Sequence, residues 1–412
     1  MSTAILYRAA ALFNGRSPSP ISDAGMVVEN GRITFVGPFS EVSPQYVGHV
    51  EDLADLTVLP GLIDAHAHLM LDGSEDPFGT LLRRTDDLVL LKIADNGRRA
   101  LEAGVTTLRD CGCRAHLSLA YRQAVDDGNV VGPNVVASDR VVTTRQGHLY
   151  FIAVEASGTA EVREAVRRQA KAGADFIKLI GSGGRMTPGQ TNMRRHSQYT
   201  DDEIRAAIDE AHRLGLRVAV HAHSTDAIEI AAEAGADSIE HCLWLGTEGL
   251  LYSERAVDAM ARRGTYVVLT LARFFPEPGS GVAPDEMIPD FDMIAPLYAR
   301  MKNAGVTFVA GGDTGASNTP FGTFVRNLEL MCRFGMSPAE AITAATATAA
   351  ECLDRADIGV LEPGRRADFI AVRGSPLDDV RALWDVRHVF RSGARVKGAS
   401  TPLNLTSSGG QP

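Results

Sequence analysis

The central part of the chain repeats one unit, in which a continuous apolar strand is followed by an alanine-rich amphipathic helix. Strands that are apolar at every position are buried on both faces, as they are in parallel sheets covered by helices. Eight such units predict an α/β fold of the (β/α)8, TIM-like barrel type. The predicted strands occupy residues 58–69, 104–111, 133–142, 174–182, 217–224, 236–242, 265–272 and 306–314.

Two helices begin at sequences that specify a helix start. Thr200 is followed three residues later by Glu203, which is the spacing of a capping box. Ser337 precedes Pro338, a residue favoured at the first helical position, and is followed by Glu340. These signals predict helices that begin directly after Thr200 and Ser337.

Both ends of the chain contain short β-rich runs of sequence. Near the N-terminus, Asn14-Gly15 and Asn30-Gly31 separate short β-rich runs, and Asn-Gly between such runs is a strong hairpin signal. After the last predicted helix, residues 363–372 and 386–398 return to β-rich sequence. We therefore expect a small β-sandwich domain built from residues 1–57 and 357–400, a barrel over residues 58–356, and a disordered tail at 401–412.

Charge and cysteine content limit the kind of partner. The chain has 41 Lys and Arg residues against 51 Asp and Glu residues, a net charge of −10, so the basic surface that attracts nucleic acids and anionic membranes is not expected. No apolar run approaches the roughly 18 residues of a membrane span. The five cysteines do not form paired CxxC motifs. We expect a cytoplasmic protein with reduced thiols that acts on a small molecule.

Side chains that can bind metal stand at the C-terminal ends of the predicted strands, where barrel enzymes hold their reactive groups. His66 and His68 are two residues apart on one strand and so point the same way, as two ligands of one ion must. Lys178 lies inside an apolar strand, where a bare ammonium needs a partner or a chemical modification. The full set comprises His66, His68, Lys178, His221, His241 and Asp313.

These residues occur in motifs that resemble the amidohydrolase superfamily of metal-dependent hydrolases. The motifs are PGLIDAHAHL, FIKLIGSGG, RVAVHAHS, SIEHC, AGGDTG and PGRRADFIAV. The resemblance extends over about residues 1–398, including the β-sandwich formed from both ends. The branch most resembled contains imidazolonepropionase-like enzymes, Xaa-Pro dipeptidases and carboxypeptidases, and xenobiotic amide or urea hydrolases.

The resemblance implies a cofactor of two divalent metal ions, with zinc as the expected metal. His66, His68 and Asp313 would hold one ion, His221 and His241 would hold the second, and Lys178, carbamylated by CO2, would bridge them. The carbamate replaces a buried cation with a bidentate carboxylate. The metals would acidify a bridging water and polarise the scissile carbonyl, while Asp313 transfers the proton of that water to the leaving nitrogen.

Two further histidines are candidates for catalysis and substrate binding. His223 points the same way as His221 and could replace it as a ligand, although His221 aligns with the ligand position of the superfamily. Similar dipeptidases often have a tyrosine in place of His223, which argues against strict Xaa-Pro dipeptidase activity. His148 matches a position where relatives have a histidine that touches the substrate carbonyl; the alternative is a surface loop histidine. Should Asp313 not move the proton, His223 and His148 are the next candidates.

Two loops and one strand end supply the remaining candidates. Arg185 and Arg194, in the long loop after the fourth strand, could bind a substrate carboxylate, or the loop could be solvated or contact another subunit. Phe274, after the seventh strand, could belong to an apolar lid or to a subunit interface. Arg109-Asp110 at the end of the second strand predicts a buried ion pair that supports the barrel.

The sequence therefore predicts an enzyme, a binuclear metal-dependent amidohydrolase that cleaves an amide-type C–N bond. Its substrate would be a small amide, such as a dipeptide, an N-acyl amino acid, or an aryl amide or urea, and the protein is expected to be a homo-oligomer. One alternative is a ring-opening or deaminating hydrolase similar to imidazolonepropionase, against which Lys178 argues, because a mononuclear site needs no bridging carbamate. Another is an inactive dihydropyrimidinase-like scaffold, which should lack several ligands.

Overall fold

The structure of the protein, a computed structural model, describes residues 4–46, 50–188, 193–276 and 288–398. The tail expected at 401–412 lies outside the described residues. Within them, the chain forms a parallel barrel and a small β domain to which both ends of the chain contribute. The exact domain limits of 1–57, 58–356 and 357–400 stay a prediction.

Strands β1–β4 and β16–β18 belong to the small domain, and β5–β15 belong to the barrel. Their bounds are β1 (Ile5–Leu12), β2 (Ile21–Glu29), β3 (Arg32–Pro38), β4 (Val50–Pro60), β5 (Leu62–Ala67), β6 (Val105–Asp110), β7 (Asn134–Ala137), β8 (Val141–Thr143), β9 (Ala153–Glu155), β10 (Phe176–Ile180), β11 (Arg217–Ser224), β12 (Ser238–Gly246), β13 (Gly249–Leu250), β14 (Tyr266–Leu269), β15 (Thr307–Ala310), β16 (Phe369–Arg373), β17 (Val386–Arg391) and β18 (Ala394–Lys397).

Helices follow most of the barrel strands and cover the outside of the barrel. Their bounds are α1 (Pro77–Leu82), α2 (Asp86–Glu102), α3 (Leu117–Asp126), α4 (Thr159–Ala172), α5 (Asp201–Arg213), α6 (Thr225–Ala234), α7 (Glu254–Arg263), α8 (Leu271–Phe274), α9 (Phe291–Asn303), α10 (Val325–Arg333), α11 (Pro338–Ala344) and α12 (Ala347–Cys352). The capping boxes at Thr200 and Ser337 are both formed, which confirms the two predicted helix starts.

The barrel strands pair in parallel and close into a ring. One path joins β5, β6 and β7, and a second joins β8, β10, β11, β12, β14 and β15. A parallel bridge between Ala67 and Thr314 connects β5 to the segment after β15. The backbone N–H of Asp175 donates to the carbonyl of Ala137 at 2.8 Å and so connects the second path to β7. The predicted barrel is confirmed.

Several of the predicted strands are shorter than expected; the eighth, expected over 306–314, is β15 and ends at Ala310, so that Asp313 lies just beyond it. The third, expected over 133–142, is divided into β7 and β8, because the buried Asp139 between them has a left-handed backbone with φ 59° that an extended strand cannot contain. The seventh, expected over 265–272, ends at Leu269, and the short helix α8 begins at Leu271. The side chains of α8 are thereby turned toward the mouth of the barrel.

The small domain consists of one seven-stranded sheet in the order β18-β17-β16-β4-β1-β2-β3. Tyr7 on β1 contacts Phe390 on β17 with ring centroids 5.1 Å apart, although β16 and β4 lie between these strands. The sheet therefore folds over on itself and encloses its own apolar core, in which Phe369 stacks on Phe390. This is the β-sandwich expected from both chain ends.

In the part of the chain that the structure describes, no helix is long and apolar enough to cross a membrane. All five cysteines are free thiols, and only Cys332 is partly exposed.

Candidate metal-dependent active site

One cavity at the C-terminal ends of the barrel strands contains all of the metal-ligand, catalytic and substrate-contact candidates named from the sequence. Lys178 lies on β10, His221 and His223 on β11, and His241 on β12. The described residues that line it are His66, His68, Phe78, His148, Leu149, Lys178, Arg185, Met186, Arg194, His221, His223, His241, Arg273, Phe274, Asp313 and Ala316.

The first group of possible ligands is His66, His68 and Asp313. The Nε2 atoms of the two histidines lie 3.6 Å and 3.2 Å from Oδ1 of Asp313. All three residues are buried, and their ligand atoms lie within 4.8 Å of one another. The grouping expected for one metal ion is therefore present in the geometry.

The second group is His221, His223 and His241, whose ligand atoms also lie within 4.8 Å of one another. Nε2 of His241 lies 3.0 Å from Nδ1 of His221, and the rings of His221 and His223 are 4.3 Å apart. Neither ring nitrogen of His223 has a hydrogen-bond partner among the described residues. His223 is thus as close to the second group as the two histidines expected there, and which of the three would bind stays a prediction.

The distances within both groups fit divalent metal ions. Two ligands held by one zinc ion at 2.0–2.1 Å in a tetrahedron lie roughly 3.3 Å apart, and the ligand pairs here are 3.0, 3.2 and 3.6 Å apart. In the second group, both buried ring nitrogens of His223 lack a hydrogen-bond partner in the described part of the chain. Buried polar atoms rarely stay without a partner, so the donor set fits a metal centre.

Lys178 lies at the bottom of this cavity in the middle of β10. Its side chain is among the largest that are fully buried, and Nζ has no hydrogen-bond partner among the described residues. Lys178 lines the same cavity as both ligand groups. An isolated ammonium at this depth is strongly unfavourable.

Five of the site histidines, named below, are held in the neutral form. Burial lowers the pKa of His66 to about 4 and that of His148 to about 3. Burial also lowers the pKa values of His221, His223 and His241 well below the ordinary range, and the neighbouring histidines add to the effect. Neutral imidazole is the form that binds metal or donates one hydrogen bond.

Asp313 is held as an anion. Burial would raise the pKa of its carboxyl group, but the hydrogen bond from His68 and the proximity of His66 lower it below its usual range. The backbone of Asp313 is left-handed, with φ 48°, an uncommon conformation for a residue with a side chain. Asp64 holds the residues on both sides of Asp313 in place. The carboxylate of Asp64 accepts hydrogen bonds from the N–H of Gly312 at 2.8 Å and from Oγ1 of Thr314 at 2.6 Å.

A buried network behind the first ligand group was not predicted. Oε2 of Glu240 lies 2.6 Å from Nδ1 of His66, and Nη2 of Arg109 donates to Oε1 of Glu240 at 2.7 Å. The expected ion pair at Arg109 is present, but its partner is Glu240, whereas Asp110 accepts from the backbone N–H of Leu69. Glu240 precedes His241 in the SIEHC motif. Its contact with His66 joins two different strands, β12 and β5, and so could not be inferred from the motif.

The cavity wall combines cations with apolar side chains. Arg194 is 4% exposed and lies in the loop after β10, while Arg185 in the same loop is exposed. Arg273 and Phe274 both belong to α8. Arg273 was not predicted, because the strand was expected to continue through residue 272. Phe78, on α1, also lines the cavity, and no signal in the sequence indicated it.

The sequence and the structure of this chain are similar to those of known proteins. The sequence model of the amidohydrolase family matches residues 57–396. Ochratoxinase from Aspergillus niger is 29% identical over 423 residues, which cover 92% of this chain and 84% of that protein. Imidazolonepropionase from Paracoccus denitrificans is 25% identical over 416 residues, which cover 95% and 94%. A crystal structure of a Xaa-Pro dipeptidase with bound methionine has a TM-score of 0.84 at 26% identity and covers 96% of this chain and 100% of that chain.

A parallel barrel with histidines, a lysine and an aspartate at its strand ends, together with these relatives, defines a hydrolase that acts on carbon–nitrogen bonds. The chain belongs to the amidohydrolase family.

Proposed function

We propose that the protein is a binuclear metal-dependent amidohydrolase that cleaves the amide bond of an N-acyl amino acid or a dipeptide. The observation on which this proposal depends is the fully buried Lys178 without a hydrogen-bond partner among the described residues, facing two separate groups of possible metal ligands. A single metal ion would leave one of these groups without a function.

The proposed metal ligands are His66, His68 and Asp313 for one ion and His221 and His241 for the other, with Lys178 between them. We infer that Lys178 is carbamylated: its neutral Nζ forms a bond to the carbon of CO2 and releases one proton, which leaves an N-carboxylate with two oxygens. This change replaces a buried cation with an anion that can bind both ions. Zinc is the proposed metal, because histidine and carboxylate ligands at these spacings suit it.

When bound, divalent ions supply Lewis-acid polarisation of a carbonyl and lower the pKa of water. The ionised carboxylate of Asp313 accepts a proton from the attacking water as the new C–O bond forms. Asp313 then donates this proton to the amide nitrogen as the C–N bond breaks, so that one water is consumed and a carboxylic acid and an amine are formed. His148 and His223, both neutral and buried, face the same cavity and can each donate one hydrogen bond to the developing oxyanion.

The charge of the cavity wall supports a substrate with a free carboxylate. Arg194 and Arg273 line the same cavity as His223 and Asp313. Arg185 adds a third cation, and Asp313 is the only acid among the described lining residues. Guanidinium groups bind carboxylates with charge-assisted hydrogen bonds. Phe78, Met186 and Phe274 supply the apolar surface that an acyl group would contact.

The experiment is a panel of matched substrate pairs assayed with zinc-loaded protein. Each pair consists of an N-acyl amino acid or dipeptide and the same compound with its carboxylate converted to a primary amide. We expect kcat/KM to be at least about tenfold higher for the free acid, which corresponds to one charge-assisted contact of about 1.4 kcal/mol. Equal rates for both members of every pair would remove the argument for carboxylate recognition.

The same panel tests the alternatives. Hydrolysis of aryl amides or phenylureas in preference to all acids would move the substrate class toward neutral amides. Cleavage of a cyclic imidazolone ring would favour a ring-opening hydrolase, in agreement with the similarity to imidazolonepropionase. Absence of turnover on every compound by protein with two metals per chain would favour a non-catalytic scaffold and contradict the proposal.

A further inference from the structure

His148 is fixed at three points although it lies in a loop. Its backbone N–H donates to Oε1 of Gln198 at 2.7 Å. Its ring lies against the ring of His221, with centroids 4.9 Å apart, and the residue is 8% exposed. The third contact is with the backbone of Gly184, in the loop after β10.

Gly184 lies directly against the imidazole ring of His148. A Cβ atom at position 184 would lie 2.5 Å from both Cε1 and Nε2 of this ring and 2.7 Å from Nδ1. Real Cβ atoms do not approach other heavy atoms this closely, so any side chain at 184 would force the ring to move. The three nearest atoms all belong to His148, so this ring is the first group that a side chain at 184 would meet.

The backbone conformation does not explain the glycine. Gly184 is absent from the described glycines with φ in the left-handed region, so an alanine could adopt this conformation without strain. The turn around Gly184 is fixed as well, because its N–H donates to Oγ1 of Thr187 at 3.0 Å and its carbonyl accepts from the N–H of Thr187 at 3.1 Å. Contact with His148 is the remaining reason for a residue without a side chain.

The ring of His148 has little freedom to avoid a new side chain. Gln198 holds the backbone of His148 and is itself bound to the barrel: its N–H donates to the carbonyl of Gly181 at 2.7 Å, and its Nε2 donates to Oγ1 of Thr143 at 3.3 Å. His221 blocks movement on another side. A methyl group at 184 must therefore rotate or displace the imidazole rather than shift the loop.

We propose that Gly184 is a positioning residue, whose missing side chain provides the space in which His148 lies directed at the reacting carbonyl. The catalytic part of this inference rests on the proposed function, since it uses His148 as a hydrogen-bond donor to the substrate. Because Arg194 belongs to the same loop as Gly184, the segment that would bind the substrate carboxylate also sets the orientation of His148.

A double-mutant cycle on the zinc-loaded protein tests the proposal. Gly184→Ala should lower kcat by about 10²-fold, the order of loss that a displacement of about 1 Å causes, with two metals per chain retained. His148→Ala should lower kcat to a similar extent. Gly184→Ala in the His148→Ala background should cause no further loss beyond about twofold, because the atoms it would meet are gone. A further large loss in that background would show that Gly184 serves the loop itself, which would overturn the proposal.

A second readout requires no substrate. In protein labelled at histidine Cε1, the signal of His148 is assigned by its disappearance in His148→Ala. We expect Gly184→Ala to shift this signal and to leave those of His116 and His388, which lie elsewhere, unchanged. An unshifted His148 signal would overturn the positioning role even if activity falls. If His148→Ala leaves kcat unchanged while Gly184→Ala shifts the signal, the proposed catalytic role of His148 fails and the structural contact stands.

Discussion

Oε2 of Glu240 lies 2.6 Å from Nδ1 of His66, and both side chains are completely buried. An ionised carboxylate can only accept a hydrogen bond. Burial alone would raise the pKa of Glu240, but the guanidinium group of Arg109 lowers it below its usual range. Nδ1 of His66 must therefore carry the proton, which leaves the lone pair on Nε2, the atom that faces Asp313. The carboxylate thus selects the tautomer and orientation of a possible metal ligand.

Replacing this carboxylate should weaken metal binding. Glu240→Gln keeps the size of the side chain but loses the charge, and we expect zinc affinity to fall about 10–100-fold. Competition with a chromophoric chelator measures it. Ser238→Ala is the matched control, because Ser238 donates to Oε1 of Glu240 and not to His66; its effect should be smaller. Equal affinities of wild type and Glu240→Gln would contradict the role of Glu240.

Lys178→Ala should remove the bridge between the two ions. The variant should retain less metal and lose most of its activity, and small carboxylic acids should restore part of both by filling the vacated space. In the wild type, 13C-labelled bicarbonate should give a carbamate carbon signal that Lys178→Ala lacks. Metal reconstitution that is independent of bicarbonate, with no such signal, would contradict carbamylation.

Asp313→Asn separates metal binding from proton transfer. An amide oxygen can still coordinate, so the variant should keep much of its metal, but it cannot accept a proton at working pH. We expect kcat to fall at least about 10²-fold. Metal content is measured on the same sample as turnover. A metal-loaded Asn variant with near wild-type kcat would assign the proton transfer to another group, with His223 or His148 first.

Metal binding should resist mild acid. Burial lowers the pKa of His66 to about 4, so the ring remains neutral as pH falls and becomes protonated only near that value. The contribution of His66 to zinc affinity, measured as the difference between wild type and His66→Ala at each pH, should therefore hold down to roughly pH 5, one unit above this pKa, and then decline. A decline of this difference centred near about 6.5, the ordinary histidine pKa, would show that His66 is not desolvated as described.

Two of the three described cavity arginines, Arg194 and Arg273, should act on substrate affinity. Arg194→Met and Arg273→Met keep the length of the side chain and remove its charge, and each should raise KM for N-acyl amino acids by about tenfold or more. The corresponding primary amides should be much less affected. Arg168→Met is the control, because Arg168 is an exposed residue of α4 and is not among the described residues that line the cavity. Equal KM changes for acids and amides would indicate a structural role.

The barrel and the metal-ligand candidates could be predicted because they depend on local periodicity. A continuous apolar run gives the approximate position of a strand and therefore the residues near its C-terminal end. Residues two apart on a strand, such as His66 and His68, lie on the same side of it. The partner of Glu240 could not be predicted, because Glu240 points away from its neighbour His241 and toward a strand about 170 residues distant. Arg273 was missed because the local sequence does not show that β14 ends at Leu269. The contact between Gly184 and His148 likewise joins two loops whose paths only the fold determines.

The small domain has a consequence for the order in which the chain can fold. β4 pairs with β16, and about three hundred residues separate the paired positions Pro60 and Phe369. During synthesis, β1–β4 leave the ribosome first, yet one edge of β4 must wait for its partner until nearly the whole barrel has been made. A chain released before that point presents an open sheet edge, a common origin of aggregation. The sheet of the small domain can be completed only after the barrel has been synthesised, because β16–β18 follow the barrel in the chain. A complete small domain is therefore found only in chains that have been translated through β18.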